Sequence, residues 1–228
     1  MRTRDVITVD GLGASGKSAL AMLLSRRLGY RHLNSGLLYR AAGWLALQEG
    51  QDLADCKAVL EVLSRHSIEL STTSDLSSVV LIDGVPRDEE LHSAEVSHAA
   101  STVAQYQPLR DLFVETQRNA FAPGGVVAEG RDMGTIIFPD ARLKFFVEAN
   151  LDVRAQRRFA QFQGTPQERS LESIRTALSD RDNRDATRSV APTKPAEGAI
   201  VIDNSKSPLD ETVERMYQVA IEGLPSLR

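Results

Sequence analysis

An α/β fold built on a parallel sheet is what this 228-residue chain predicts, on three observations. Short β-branched apolar runs alternate with stretches of helical periodicity. Val6–Asp10, Gly125–Glu129, Leu143–Glu148 and Ala199–Asp203 are almost continuously apolar, as strands covered on both faces are. The first of these runs passes straight into a glycine-rich turn and then a helical pattern, a strand–loop–helix unit.

The elements follow in order. After Val6–Asp10, Ser18–Leu28 reads as a helix, with Leu20, Leu23, Leu24 and Leu28 on one stripe. Arg31–Asn34 is a short strand, and Ser35–Gln48 a helix opened by a serine N-cap. Between Asp52 and Ser101 the rhythm breaks. A helical stretch there precedes IELSTTSDLSSVVLIDG, whose two alternating runs flank a polar turn at Ser74–Ser78, with Val79–Ile82 as the second run. This is an antiparallel hairpin, placed as a small insert on the α/β core. Gly125–Glu129 and Leu143–Glu148 resume the strands, and helical patterns fill Asp152–Phe162, Gln167–Asn183 and Leu209–Gly223 around the last strand, Ala199–Asp203. Arg181–Pro195, RDNRDATRSVAPTKP, stands apart as arginine-dense and proline-ended.

Composition narrows the function classes. With 42% hydrophobic and 25% charged residues the chain is neither disordered nor collagen-like. Twenty-seven basic against thirty-one acidic residues argue against a dedicated binder of nucleic acid polymers or anionic membranes. The single cysteine, Cys56, makes neither an internal disulfide nor a structural zinc site. His32, His66, His92 and His98 show no metal spacing with one another or with Cys56, and read as surface or packing residues. The opening MRTRDVITVDG has no apolar signal core, and no run approaches the roughly 20 apolar residues of a membrane span, so a cytoplasmic protein is expected. With no long unpaired apolar stripe, a monomer is expected.

Gly11-Leu12-Gly13-Ala14-Ser15-Gly16-Lys17-Ser18 matches G-x-x-x-x-G-K-[ST] in full, between a strand and a helix. Such a loop turns successive N–H groups toward phosphate oxygens, and the helix behind it adds its positive end. Lys17 then reaches the β- and γ-phosphates, and the Ser18 hydroxyl ligates Mg²⁺. The ligand is a nucleoside triphosphate. The chain has no N-K-x-D element for guanine, and its nominal D-x-x-G at Asp10–Gly13 lies inside the loop, which argues against a regulatory GTPase.

Farther along come Asn34-Ser35-Gly36-Leu37-Leu38-Tyr39-Arg40, Ser101, Arg110, Glu129-Gly130-Arg131-Asp132-Met133-Gly134-Thr135, and then Arg181, Arg184, Asp185 and Arg188. Taken singly, helix arginines are usually solvated and a Gly-Arg-Asp after a strand is usually a turn. In this order behind a complete phosphate loop they resemble the bacterial cytidylate kinase family. GLGASGKSAL, SGLLYR, EVSHAAS, EGRDMGTIIFPDA and RDNRDATRSVAP all look like that family's motifs, and the likeness covers nearly the whole chain.

The resemblance implies a P-loop nucleoside monophosphate kinase fold. Its parts would be a five-stranded parallel sheet flanked by helices, an inserted monophosphate-binding region with antiparallel strands, and an arginine-rich lid. Core segments would be 1–50, 102–162 and 196–228, the insert about 51–101 and the lid about 163–195. It implies transfer of the ATP γ-phosphoryl to CMP or dCMP with Mg²⁺, giving ADP. By position, residues 11–18 with Ala19 and Arg157 would serve ATP. Arg40, Arg131 and Arg188 would hold the acceptor phosphate. Ser101, Arg110 and Asp132 would face the cytosine edge, and Asp185 with Arg181 the ribose. Ser35 and Tyr39 are further acceptor-side candidates, and Arg184 joins Lys17, Arg131 and Arg188 as catalytic.

The chemistry is consistent with these types. Two polyanions must be brought together, and Arg binds phosphate bidentately while staying charged. A phosphate acceptor is already anionic, so no general base is required. Cytosine pairs a donor amino group with acceptors, which Asp132 and Arg110 or Ser101 would match while rejecting uracil. Closure of a lid would keep ATP from water. Arg181, Arg184 and Arg188 would share one face if that stretch is helical.

Four positions depart from the family's usual pattern. Asn34 stands for an aspartate, Ala19 for a threonine, Leu12-Gly13 for a proline followed by a small residue, and His92 for an arginine. They bear on substrate range. The competing readings are a P-loop kinase of another nucleotide or small metabolite, and a nucleotide-sensing module without turnover.

Overall fold

The computed structural model describes residues 5–165 and 167–224; the first four residues, part of the N-terminal stretch read for targeting signals, lie outside it, as do Pro166 and residues 225–228 at the edges of the expected lid and core segments. The α/β expectation holds. Five parallel strands, β1 (Val6–Gly11), β2 (Arg31–Asn34), β6 (Val126–Gly130), β7 (Leu143–Glu148) and β8 (Ile200–Asp203), run in the order β2-β6-β1-β7-β8. β1 is central, with Ile7 beside both Val127 and Leu143, and Ile7 and Val9 have no exposed surface. Helices α1 (Lys17–Leu28) and α8 (Leu209–Gly223) cover one face through Leu20, Leu24, Val213 and Met216. The other face packs Leu33, Val126 and Ala128 against Met133 and Ile137 of a single π-helical turn, Met133–Ile137.

The two-faced burial expected of Ala199–Asp203 is not found. β8 is the sheet's edge, and Ile200 and Val201 are 38% and 49% exposed while Ile202 alone faces the core. An apolar run marks a strand, but only its neighbours decide whether both faces are covered.

The insert contains the expected hairpin, β3 (Ile68–Thr72) with β4 (Ser78–Ile82), to which β5 (Val85–Pro86) adds a third antiparallel strand. Around it pack α2 (Gly36–Gln48), α3 (Cys56–Leu63), α4 (Ala94–Val103) and α5 (Gln107–Asn119). Asp55 caps α3 by accepting from the N–H groups of Lys57 and Ala58, and Ser93 caps α4 through Val96 N–H. Ser35 does not cap α2. Its own backbone is already helical and its side chain makes no cap bond; Asn34 Oδ1 instead accepts from Gly36 N–H at 3.0 Å.

α2 and α4 cross at backbone contact distance because Gly43 has no side chain. A Cβ there would stand 2.9 Å from both Ala100 N and Ala99 Cβ. Gly43→Val is therefore expected to cost about 1–3 kcal/mol. A urea midpoint equal to that of the parent would show that the crossing relaxes freely.

Beyond β7, α6 (Leu151–Phe162) leads to α7 (Leu171–Thr187), capped by Ser170, which accepts from Ser173 N–H. α7 runs later than the expected Gln167–Asn183 and takes in half of the arginine-dense segment. Arg181 and Arg184 lie on it, but Arg188 is its extended C-cap, so the three do not share a helix face. No helix among the described residues is long and apolar enough to cross a membrane.

Candidate active site

The loop after β1 is held from behind by its carbonyl groups. Arg154 Nη1 donates to Gly13 O at 3.1 Å, Asn204 Nδ2 to Ser15 O at 2.8 Å, and Lys17 Nζ to Leu12 O at 3.3 Å. Arg157 donates to Ser15 O and Asn204 O at 3.4 and 2.7 Å. By contrast, none of the backbone N–H groups from Gly13 to Ser18 has a partner among the described residues. A row of unpaired N–H groups at a helix N-terminus is an anion cradle. Gly11 is required at the root of the loop, since a Cβ would fall 2.0 Å from Val147 O.

Beneath the cradle, the exposed Ser18 is joined to buried polar groups. Ser18 Oγ donates to Glu129 Oε2 at 2.7 Å, and Glu129 Oε1 is 3.2 Å from His32 Nε2. Burial works to raise the Glu129 carboxyl, but His32, Lys17 and Ser18 outweigh it and hold the group below the usual glutamate range. Asp10 accepts from Met133 and Gly134 N–H, both at 2.8 Å, and so anchors the turn that follows Arg131 and Asp132. Burial outweighs those bonds and pushes the Asp10 carboxyl up to about 7.

Across the cleft, arginines converge with few counter-charges. Burial and Arg131 hold Lys17 well below the usual lysine range. Burial and Arg131 bring Arg181 down to about 9, and burial with Arg158 and Arg131 brings Arg40 to about 10. Each depression says that the folded protein would gain from an anion at this spot. Asp185 is the carboxylate that Arg131, Arg181 and Arg188 share. Arg131 Nε lies 3.2 Å, Arg181 Nε 3.6 Å and Arg188 Nη1 3.8 Å from it, and together they outweigh burial to keep it ionised. Ser101 Oγ donates to Asp185 at 3.2 Å and accepts from Arg184 Nε at 3.1 Å. Arg110 pairs with Asp132 in a buried bond, its guanidinium 5.3 Å from the Tyr39 ring. Tyr39 also packs edge-on against Phe113, and burial pushes its hydroxyl up to about 12.

These groups line one cleft of about 820 Å³. Of the residues singled out in the sequence, Gly13, Ala14, Gly16, Lys17, Ser18 and Ala19 line it from the glycine-rich loop and the start of α1, with Arg157. Ser35, Tyr39, Arg40, Ser101, Arg110 and Arg131 stand opposite, with Asp132, Arg181, Asp185 and Arg188. Gly11, Leu12, Ser15 and Arg184 are not on its wall; Arg184 lies on a second cavity between α4 and α7.

Sequence reasoning passed over Asp10, His32, Glu129, Arg154, Arg158 and Asn204. Arg158 lines the cleft between the two sides, lowered by burial and Arg131. Buried Arg154 joins Gly13 O, Ala149 O and Asp182, tying the glycine-rich loop to α7. A repeated arginine spacing in VRAQRRF was the available signal for Arg154 and Arg158; nothing local marked Asn204 or His32.

The cytidylate kinase family description matches residues 7–222. A cytidylate kinase of Vibrio cholerae is 40% identical over 214 residues, covering 93% of this chain and 94% of the relative. One from Azotobacter vinelandii is 38% identical over 222 residues, 96% of each chain. One from a Geobacillus species is 37% identical over 224 residues, 97% of this chain and 99% of the relative.

Proposed function

The chain belongs to the cytidylate kinase family, and on that premise we propose that it transfers the γ-phosphoryl group of ATP to CMP or dCMP, giving ADP and CDP or dCDP. The observation that carries this reading is the placement of two anion sites on one cleft. The unpaired N–H row from Gly13 to Ser18 is one, and the arginines around Asp185 are the other.

The triphosphate lies in the cradle, with Lys17 on its β- and γ-oxygens and Arg154, Arg157 and Asn204 bracing the loop from behind. Mg²⁺ suits the donor set. Ser18 gives its proton to Glu129 and keeps oxygen lone pairs for a hard cation, and no group of three or more His, Cys, Asp or Glu among the described residues competes for it. When bound, the ion offsets charge on the β- and γ-phosphates. Arg40, Arg131 and Arg188 hold the acceptor phosphate. Asp132 takes the cytosine amino group and Arg110 or Ser101 its acceptor atoms. Asp185 with Arg181 addresses the ribose, and Arg184 acts through Ser101. Residues of about 51–101 form the monophosphate-binding insert and those of about 163–195 the lid that closes over both substrates. With an anionic acceptor, the protein's task is alignment and charge stabilisation rather than proton removal.

The test is ADP release from ATP and Mg²⁺ with CMP, dCMP, UMP, AMP and GMP offered in parallel. Turnover with CMP and dCMP and little with the rest is the expected result. ADP release driven by another of the five reassigns the acceptor, and flat traces for all of them withdraw the cytidylate assignment, leaving a P-loop kinase of another acceptor or a nucleotide sensor.

A further inference from the structure

His32 is buried, at 5% exposure, on the edge strand β2, away from the cleft wall. Its backbone is pinned to the hairpin of the insert. His32 N–H donates to Leu76 O at 2.9 Å, and Ser78 Oγ donates to His32 O at 2.5 Å. The ring is thereby aimed inward at Glu129, which is buried at 1% exposure and lies beside Asn34 in the parallel register of β2 with β6. His32 Nε2 and Glu129 Oε1 are 3.2 Å apart, within ion-pair distance, and neither atom has a well-aligned hydrogen-bond partner among the described residues. A carboxylate oxygen only accepts, so a hydrogen bond between the two requires the proton on Nε2.

The second Glu129 oxygen accepts the Ser18 hydroxyl proton at 2.7 Å. This matters because a hydroxyl has one proton and two lone pairs. With the proton committed to Glu129, the oxygen presents lone pairs elsewhere; with the proton free to turn, it would present them only part of the time. Glu129 can do this only while it keeps one rotamer, and a carboxylate this buried is held in one rotamer by a partner beside Oε1. Groups that orient a metal ligand in this way typically alter metal affinity by about 10–100-fold when removed.

We propose that His32 is a positioning residue for the metal ligand Ser18, acting through Glu129: the imidazole N–H fixes the carboxylate, and the carboxylate fixes the Ser18 hydroxyl with its lone pairs toward the Mg²⁺ that accompanies the nucleotide. The inference rests on the proposed role of Ser18 as the protein's ligand to that ion. It also ties the insert hairpin, through β2, to the donor side of the cleft.

Two amide substitutions separate this role from simple packing. The glutamine amide nitrogen reaches the place of Nε2, whereas that of asparagine stops near Nδ1. Binding of Mn²⁺ to the full chain saturated with ADP is measured by electron paramagnetic resonance, with ADP binding in EDTA and the thermal midpoint of the free protein alongside. His32→Asn is expected to weaken Mn²⁺ binding by about 10-fold, with His32→Gln staying within about 3-fold of the parent and metal-free ADP binding unchanged in both. Equal Mn²⁺ affinity in all three proteins overturns the proposal, as does equal loss in both variants, which would mark His32 as a packing residue. Should the parent with ADP bind no Mn²⁺ at all, the Ser18 reading falls and this inference with it.

Discussion

Lys17→Met is expected to lower kcat by about 10³-fold while the protein stays folded. Lys17 is 8% exposed, donates only to Leu12 O, and has no carboxylate within ion-pair distance among the described residues. Its charge is thus held ready for a ligand rather than spent on the protein. Burial and the nearby Arg131 and Arg181 disfavour the ammonium in the free cleft, and a triphosphate would reverse that balance. The attraction grows as charge moves onto the transferring group, so the loss should fall mainly on kcat rather than on KM. Methionine keeps the length of the stem, and circular dichroism checks the fold. A variant that forms ADP from ATP and CMP within a few-fold of the parent rate would remove Lys17 from the chemistry.

Arg131→Ala is expected to cost on the order of 10²-fold in kcat/KM. The Arg131 side chain spans the two halves of the cleft. Its Nε contacts Asp185 of α7 at 3.2 Å, its Nη1 donates to Gly130 O at 3.3 Å, and its Nη2 would stand 3.7 Å from a Cβ on Gly13. In the proposed reaction it would face donor and acceptor phosphates together, and its loss also leaves Asp185 with weaker counter-charge. Arg131→Lys discriminates between roles. A point charge retains the attraction but not the planar fork, so it should recover only part of the loss. Full recovery would mean that charge alone is used, and a near-normal alanine variant would place Arg131 outside the transfer.

Local signals were legible where local physics sets the structure. The bounds of Arg31–Asn34 and Leu143–Glu148 agree with those read from the sequence, and the hairpin follows from alternation across a polar turn. The phosphate loop was readable because a tight turn between strand and helix needs its glycines in fixed places. What escaped was decided by neighbours far along the chain. Ile200 and Val201 read as buried but are exposed, because β8 has a partner on one side only. Asn204 reaches Ser15 across 189 positions, Arg154 reaches Gly13 across 141, and Ser18 meets Glu129 across 111. Such pairs are fixed by the sheet order, which no short window contains. The cap on α2 is a smaller case. Serine and asparagine are adjacent there and equally able, and the backbone of Ser35, already helical, gives the task to Asn34.

The contact of α2 with α4 at Gly43 bears on how a wrong nucleotide is refused. α2 carries Tyr39 and Arg40, α4 carries Ser101, and two backbones in contact leave that wall no room to shift. A badly seated base cannot be accommodated by the wall yielding. Ser101 on that wall is hydrogen-bonded to Asp185 of α7, so a base that presses on Ser101 would disturb α7 as well. With the proposed lid on α7, selectivity would then be a matter of timing, a misfit base delaying closure long enough to leave before the phosphoryl group moves.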